Sequence, residues 1–269
     1  MNPVKAVSIT GHGTNCEAES AYAAKTAGAD VSDIVYFFDL AAGRARLADY
    51  NFLIFPGGFL DGDDLGAGQA AAIRWRYAKT AAGDALLDQL TGFFQAGGII
   101  LGICNGFQLL VKLGLLPALG GRYFERQVSL ANNDSARFED RWVTLRANPA
   151  SPCVFTKNVG VIDLPVRHGE GKLVPGSPEI FNEIISGNLH ALQYVDPDTK
   201  NPTQDYPANP NGSPLAIAGL TDPTGRILGL MPHPEAYNDK TNHPGWTRGQ
   251  GTELGLTLLE NGVRYLKER

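Results

Sequence analysis

The chain has 269 residues, 43% of them hydrophobic, enough to bury the core of one sizeable α/β domain. Its net charge is −5 with Lys and Arg scattered along the chain, which excludes the basic face a nucleic-acid binder needs. Cys16, Cys104 and Cys153 form an odd, sparse set without CxxC pairing, which argues against a disulfide framework and against a zinc site.

The opening MNPVKAVSIT runs straight into a predicted strand over Val4 to Thr10, with no leader, and no apolar run reaches membrane-spanning length. A cytoplasmic protein without membrane or nucleic-acid partners is expected. Thr14 and Glu17 have capping-box spacing and predict a helix through the Ala-rich stretch to Gly28. Val31 to Phe38 reads as a second strand and Phe52 to Phe55 as a third, ending at Pro56-Gly57-Gly58. Gln69 to Gln95 reads as helical with a break near Gly83. Gly98 to Ile103 is then a fourth strand, followed by an apolar-periodic helix up to Leu113 that Gly114 ends. This alternation predicts an α/β fold, a mostly parallel twisted sheet flanked by helices.

In the second half, strand-like pieces fall at Trp142 to Leu145, Val159 to Val166, Leu215 to Ala218 and Ile227 to Met231, without a derivable topology. Pro197 to Pro214 carries five prolines and reads as a long loop. Leu254 to Leu266 predicts a closing surface helix. One domain over residues 1–269 accounts for the whole pattern, with elaborations at about 197–214 and 237–252.

The chemistry concentrates at Gly102-Ile103-Cys104-Asn105-Gly106, a thiol version of the strand-turn-helix elbow that presents a nucleophile at a sharp turn. The following helix directs its positive end at Cys104, which favours thiolate, and the elbow aims the N–H of Asn105 at a forming oxyanion. Met231-Pro232-His233-Pro234-Glu235 ends another strand; an extended segment puts His233 and Glu235 on one face, base beside carboxylate. A second oxyanion donor is expected from the turn after the third strand, at Gly58 or, failing it, Gly57.

In this order and at these intervals, PGGF, GICNGFQ and MPHPE resemble the class I (triad) glutamine amidotransferases. PGGFLDGDDLGAG, the NDS-x-RF pattern at Asn133 to Phe138 and His168-Gly-Glu-Gly171 resemble more narrowly the glutaminase component of phosphoribosylformylglycinamidine synthase, an enzyme of purine synthesis. The resemblance covers about Val4 to Glu235. It implies a flavodoxin-like fold with a smaller extra β region. It also implies a catalytic set of Cys104, His233 and Glu235, with Gly57, Gln108 and Asn133 touching L-glutamine. Ammonia would pass to a synthetase polypeptide that holds ATP and magnesium, leaving this chain without a cofactor or metal of its own. Alternatives on the same scaffold are a glutaminase serving another acceptor and a free-standing thiol hydrolase. Tyr237 to Thr252, with His243-Pro-Gly-Trp246, departs from compact members and resembles the large fused enzymes. His12, Cys16, His168 and Glu170 receive no role from the sequence. The acidic run Asp61, Asp63 and Asp64 reads as solvated or ion-paired rather than as a magnesium site.

Overall fold

A computed structural model describes residues 2–251 and 253–269. In chain order the strands are β1 (Lys5–Thr10), β2 (Val31–Tyr36), β3 (Phe52–Phe55), β4 (Ile99–Ile103), β5 (Val128–Asn132), β6 (Glu139–Ala147), β7 (Val161–His168), β8 (Glu170–Pro175), β9 (His190–Tyr194), β10 (Ile217–Thr221) and β11 (Ile227–Leu230). The α-helices are α1 (Glu17–Thr26), α2 (Phe37–Ala41), α3 (Gln69–Tyr77), α4 (Leu86–Gln95), α5 (Asn105–Leu113), α6 (Pro178–Ser186) and α7 (Leu256–Glu268). Nine strands form one sheet in the order β2-β1-β3-β4-β11-β10-β9-β6-β7, and β5 pairs with β8 in a separate ribbon, the expected smaller β region.

The first five strands of that order are parallel to their neighbours; from β11 onward every pairing is antiparallel. Short apolar runs in β3, β4 and β11 produce this arrangement, because every residue in them is buried, as central parallel strands require. Helices cover the sheet in two groups, α1 with α7 and α3 with α4 and α5. Phe52, fully buried, meets Phe155 at a ring separation of 5.9 Å, and each such aromatic contributes about 1.5–3 kcal/mol of burial free energy.

Several boundaries differ from expectation for local reasons. Thr14 does not cap α1: its Oγ1 accepts the N–H of Gly11 at 3.0 Å, and Cys16 takes the cap position without a side-chain bond. The second strand ends at Tyr36, since Phe37 turns inward to pack edge-on against Trp75 at 5.2 Å and starts α2. The break near Gly83 is real and separates α3 from α4. Gly114 closes α5 in the left-handed conformation. The proline-rich stretch stays a loop, with a single bridge from Val195 to Pro202, and the following piece becomes a strand only from Ile217. Within 237–252, Tyr237 is buried and packs against Trp142 at 5.0 Å; Thr252 lies outside the described residues. Strands β5, β8 and β9 and helix α6 had no counterpart in the sequence reading.

Candidate active site

Strands β3, β4 and β11 are adjacent and parallel, so the three segments that follow them leave the sheet at one edge, the carboxyl edge where α/β folds bind ligands. These segments are PGGF, the cysteine elbow and MPHPE.

At the elbow, Cys104 has φ 51° and ψ −105°, a conformation that costs an L-residue about 1–3 kcal/mol. Its N–H is held by the carbonyl of Leu230 at 2.8 Å, which ties the turn to β11. The flanking glycines let the chain approach itself: a Cβ on Gly102 would lie 2.9 Å from the backbone of Gly106, and one on Gly106 would overlap the carbonyl of Phe55. The thiol is buried, with Sγ directed at the carbonyl of Arg167 at 3.5 Å.

His233 is anchored through its N–H to the carbonyl of Pro165 at 2.8 Å, and its Nδ1 meets Oε1 of Glu235 at 2.6 Å. Both side chains are sealed from solvent. Burial opposes a charge on His233, but Glu235 and the Cys104 thiol outweigh it and hold the imidazole well above the ordinary histidine range. Nε2 makes no hydrogen bond of full geometry, but the sulfurs of Cys104 and Cys16 lie close enough to favour a proton on the ring, a loose arrangement common before substrate binds. The described residues contain one group with metal-ligating atoms within 4.8 Å of one another: Cys16, His233 and Glu235. An ion there would have to displace the His233–Glu235 hydrogen bond.

The PGGF turn contributes through peptide orientation. The carbonyl of Gly57 accepts from the N–H groups of Asn15 and Cys16 at 3.4 and 3.3 Å. In a trans peptide the N–H points opposite to the carbonyl, so the N–H of Gly58 faces away from α1, and Gly58 lines the cleft that holds Cys104. The N–H groups of Gly58 and Asn105 have no partner among the described residues. Gly58 adopts φ 152°, and a Cβ there would come within 2.5 Å of the Gly13 carbonyl, which restricts the position to glycine. Gly57 sits behind the cleft: a Cβ on it would lie 2.8 Å from Cε1 of His233.

The cleft, about 360 Å³ with an open mouth, is lined by Gly58, Asp63, Cys104, Gln108, Arg137 and Glu170, among others. Gln108 is fixed at both ends, accepting from Asn105 Nδ2 at 2.8 Å and donating to the carbonyl of Glu170 at 2.7 Å. Asn133, expected to touch substrate, is turned away. Its Nδ2 donates to the carbonyls of His168 at 2.8 Å and Arg137 at 3.0 Å, and its Oδ1 meets His168 Nδ1 at 3.1 Å. The NDS-x-RF motif instead presents Arg137 and Phe138, the latter stacked on Phe59 at 6.3 Å at the rim. Arg137, Arg167 and Asp63 were not singled out as substrate contacts; the only sequence signal for them was their place inside or beside motifs read for other residues. Burial and the negative charge of Glu170 raise the Asp63 carboxyl, against hydrogen bonds from Asn105 and Gly68. His12, by contrast, stands apart, against Tyr36 and Phe38.

A sheet of this order with a strained thiol elbow and a His–Glu pair at its carboxyl edge defines a thiol-dependent amidotransferase scaffold. Residues 3–266 match the family profile of the CobB/CobQ-like glutamine amidotransferase domain. Over 270 residues, all of both chains, 42% of positions are identical with phosphoribosylformylglycinamidine synthase subunit PurQ of Dehalococcoides mccartyi; with the protein of that name from Methanococcus maripaludis the figure is 43%, over 98% of each. The solved structure of PurLQS from Thermotoga maritima contains a chain that superposes with a TM-score of 0.70 at 27% identity, over 99% of this chain and 100% of that one. The chain therefore belongs to the glutamine amidotransferase family and, within it, to the family of phosphoribosylformylglycinamidine synthase subunit PurQ. Among the described residues no helix is long and apolar enough to cross a membrane.

Proposed function

We propose that this chain acts as a single glutaminase domain, in the cytoplasm, that releases ammonia from L-glutamine for an ATP-dependent synthetase polypeptide forming phosphoribosylformylglycinamidine. The observation that carries the reading is the buried Cys104 elbow facing the His233–Glu235 pair at one sheet edge. Ionised Cys104 attacks the side-chain amide carbon, and the oxyanion is met by the N–H groups of Gly58 and Asn105. Protonated His233 gives its proton to the amide nitrogen, the C–N bond breaks, and ammonia leaves a glutamyl thioester on Cys104. His233, now neutral, takes a proton from water; hydroxide adds to the thioester, and glutamate departs as the thiolate is restored.

The cleft wall supports an amino-acid substrate as a class. The side chains of Arg137 and Arg167 make no hydrogen bond or ion pair among the described residues and suit an α-carboxylate, while Asp63 and Glu170 suit an α-ammonium. Gln108 holds that wall in place through the Glu170 carbonyl. No cofactor or metal is assigned to this chain; ATP and magnesium belong to the synthetase.

The experiment is Cys104→Ala in the complex with the synthetase. Glutamine-dependent synthesis should vanish while synthesis from added ammonium persists. Survival of the glutamine-dependent reaction would remove Cys104 as nucleophile, and loss of both activities would overturn the division of labour.

A further inference from the structure

His168 lies in the wall of the cleft that holds Cys104 and is only 2% exposed. Its Nδ1 faces Oδ1 of Asn133 at 3.1 Å. Asn133 cannot be turned over, because its Nδ2 already donates to the carbonyls of His168 and Arg137. An amide oxygen therefore faces the ring, and Nδ1 must carry the proton. That leaves Nε2 as a bare acceptor, buried and without a partner in the protein. Burial and the charge of nearby His233 push the ring down to about 3, so at neutral pH it stays uncharged.

Glutamine brings two amide N–H groups to this site and they need acceptors. The carbonyl of Glu170 is occupied by Gln108 at 2.7 Å; that of Arg167, 3.5 Å from Cys104 Sγ, is released when the thiol ionises and can take one of the two N–H groups, which leaves the other in need of a second acceptor. We propose that Nε2 of His168 accepts an N–H from the substrate's side-chain amide and makes the site select amide over carboxylate. The inference rests on the glutaminase reading. Glutamate would set a carboxylate oxygen against the Nε2 lone pair, two acceptors facing each other, which favours release of the product. When His233 protonates the amide nitrogen and the C–N bond breaks, ammonia keeps its hydrogen bond to Nε2. Having no proton at Nε2, the ring cannot turn ammonia into ammonium.

The test compares kcat/KM for L-glutamine and for L-glutamate γ-methyl ester, which has no N–H to offer, using the complex with the synthetase. In His168→Ala the glutamine value should fall about tenfold, the scale of one hydrogen bond to substrate, while the ester value stays within about threefold. Inhibition by glutamate should tighten. His168→Gln, which returns a side-chain acceptor at similar reach, should recover part of the lost selectivity. A parallel fall for both substrates would show a purely structural role and overturn the inference, and so would no fall for either. A wild-type complex that turns over neither substrate would instead sink the glutaminase reading.

Discussion

Nδ1 of His233 and Oε1 of Glu235 are 2.6 Å apart, although a single proline separates the two residues. Pro234 opens a 3-10 turn over Pro234–Ala236 with His233 at its cap, and this turn, not an extended segment, sets Glu235 against one edge of the ring and leaves Nε2 for the thiol. Glu235 therefore orients and stabilises rather than transfers a proton. Glu235→Ala should lower kcat for glutamate release by about a hundredfold or more, and His233→Ala by several orders beyond that. In a His233→Ala background the Glu235 change should cost almost nothing further. Additive losses in steady-state glutamate release would separate the two roles.

The two buried histidines pull the pH dependence of stability in opposite directions. Folding raises His233, so its contribution is complete below the unfolded value near 6.5 and is lost as pH rises through the folded value. His168 is depressed to about 3; below pH 6.5 the unfolded chain takes up a proton that the folded protein refuses, and stability falls with pH until about 3. At pH 5 the His168 penalty is about 2 kcal/mol. His168→Gln should therefore flatten the acid side of the stability profile between pH 6.5 and 4 relative to wild type. Parallel profiles in urea titrations at each pH would contradict this.

Local signals account for what the sequence made legible. The strand runs at Phe52–Phe55 and Ile99–Ile103 end in glycine turns and mark the catalytic edge without tertiary information, whereas the His-Pro-Glu segment, expected to be extended, takes a 3-10 turn over Pro234–Ala236 that still sets Glu235 beside His233. Strands β5 and β8 were not legible, because half-buried, alternating residues such as those of Val128–Asn132 look like any polar loop until the partner strand is known. Helix α6 did carry a signal, the Ser177 cap bonded to the N–H of Ile180 with Pro178 behind it, which went unread. Asn133 shows a different limit: its motif marked the right wall of the cleft, but whether an amide faces substrate or a neighbouring histidine depends on rotamers that spacing does not encode.

Gly106 and Gly92 both sit in helices and should respond oppositely to alanine. At Gly106 the added methyl would collide with the backbone of Phe55, and neither α5 nor β3 can yield without displacing Cys104. Gly106→Ala should lose activity and several degrees of Tm. Nothing lies within 4 Å of a Cβ on Gly92, in the interior of α4, so Gly92→Ala should stabilise by about 0.5–1 kcal/mol with activity unchanged. Thermal melts with a glutaminase assay on both variants decide it; a stable, active Gly106→Ala enzyme would show that the elbow tolerates a wider approach.

Glu170 offers the sharpest separation of binding from chemistry. Its carboxylate lines the cleft and accepts the N–H of Ala67 at 3.3 Å, while its carbonyl, a separate group, positions Gln108. Glu170→Gln keeps an oxygen for Ala67 and leaves the backbone contact to Gln108 untouched, so only the charge facing the proposed α-ammonium changes. KM for glutamine should rise about tenfold or more, on the scale of a hydrogen bond to a charged group, with kcat nearly constant. Labelling of Cys104 by 6-diazo-5-oxonorleucine, which carries the same α-ammonium, should slow by a similar factor at low reagent concentration. Iodoacetamide, which lacks it, should alkylate both proteins at equal rates. A fall in kcat without a change in KM would move Glu170 from recognition into the chemical step, and equal slowing with both reagents would mean that the substitution disturbs the elbow itself.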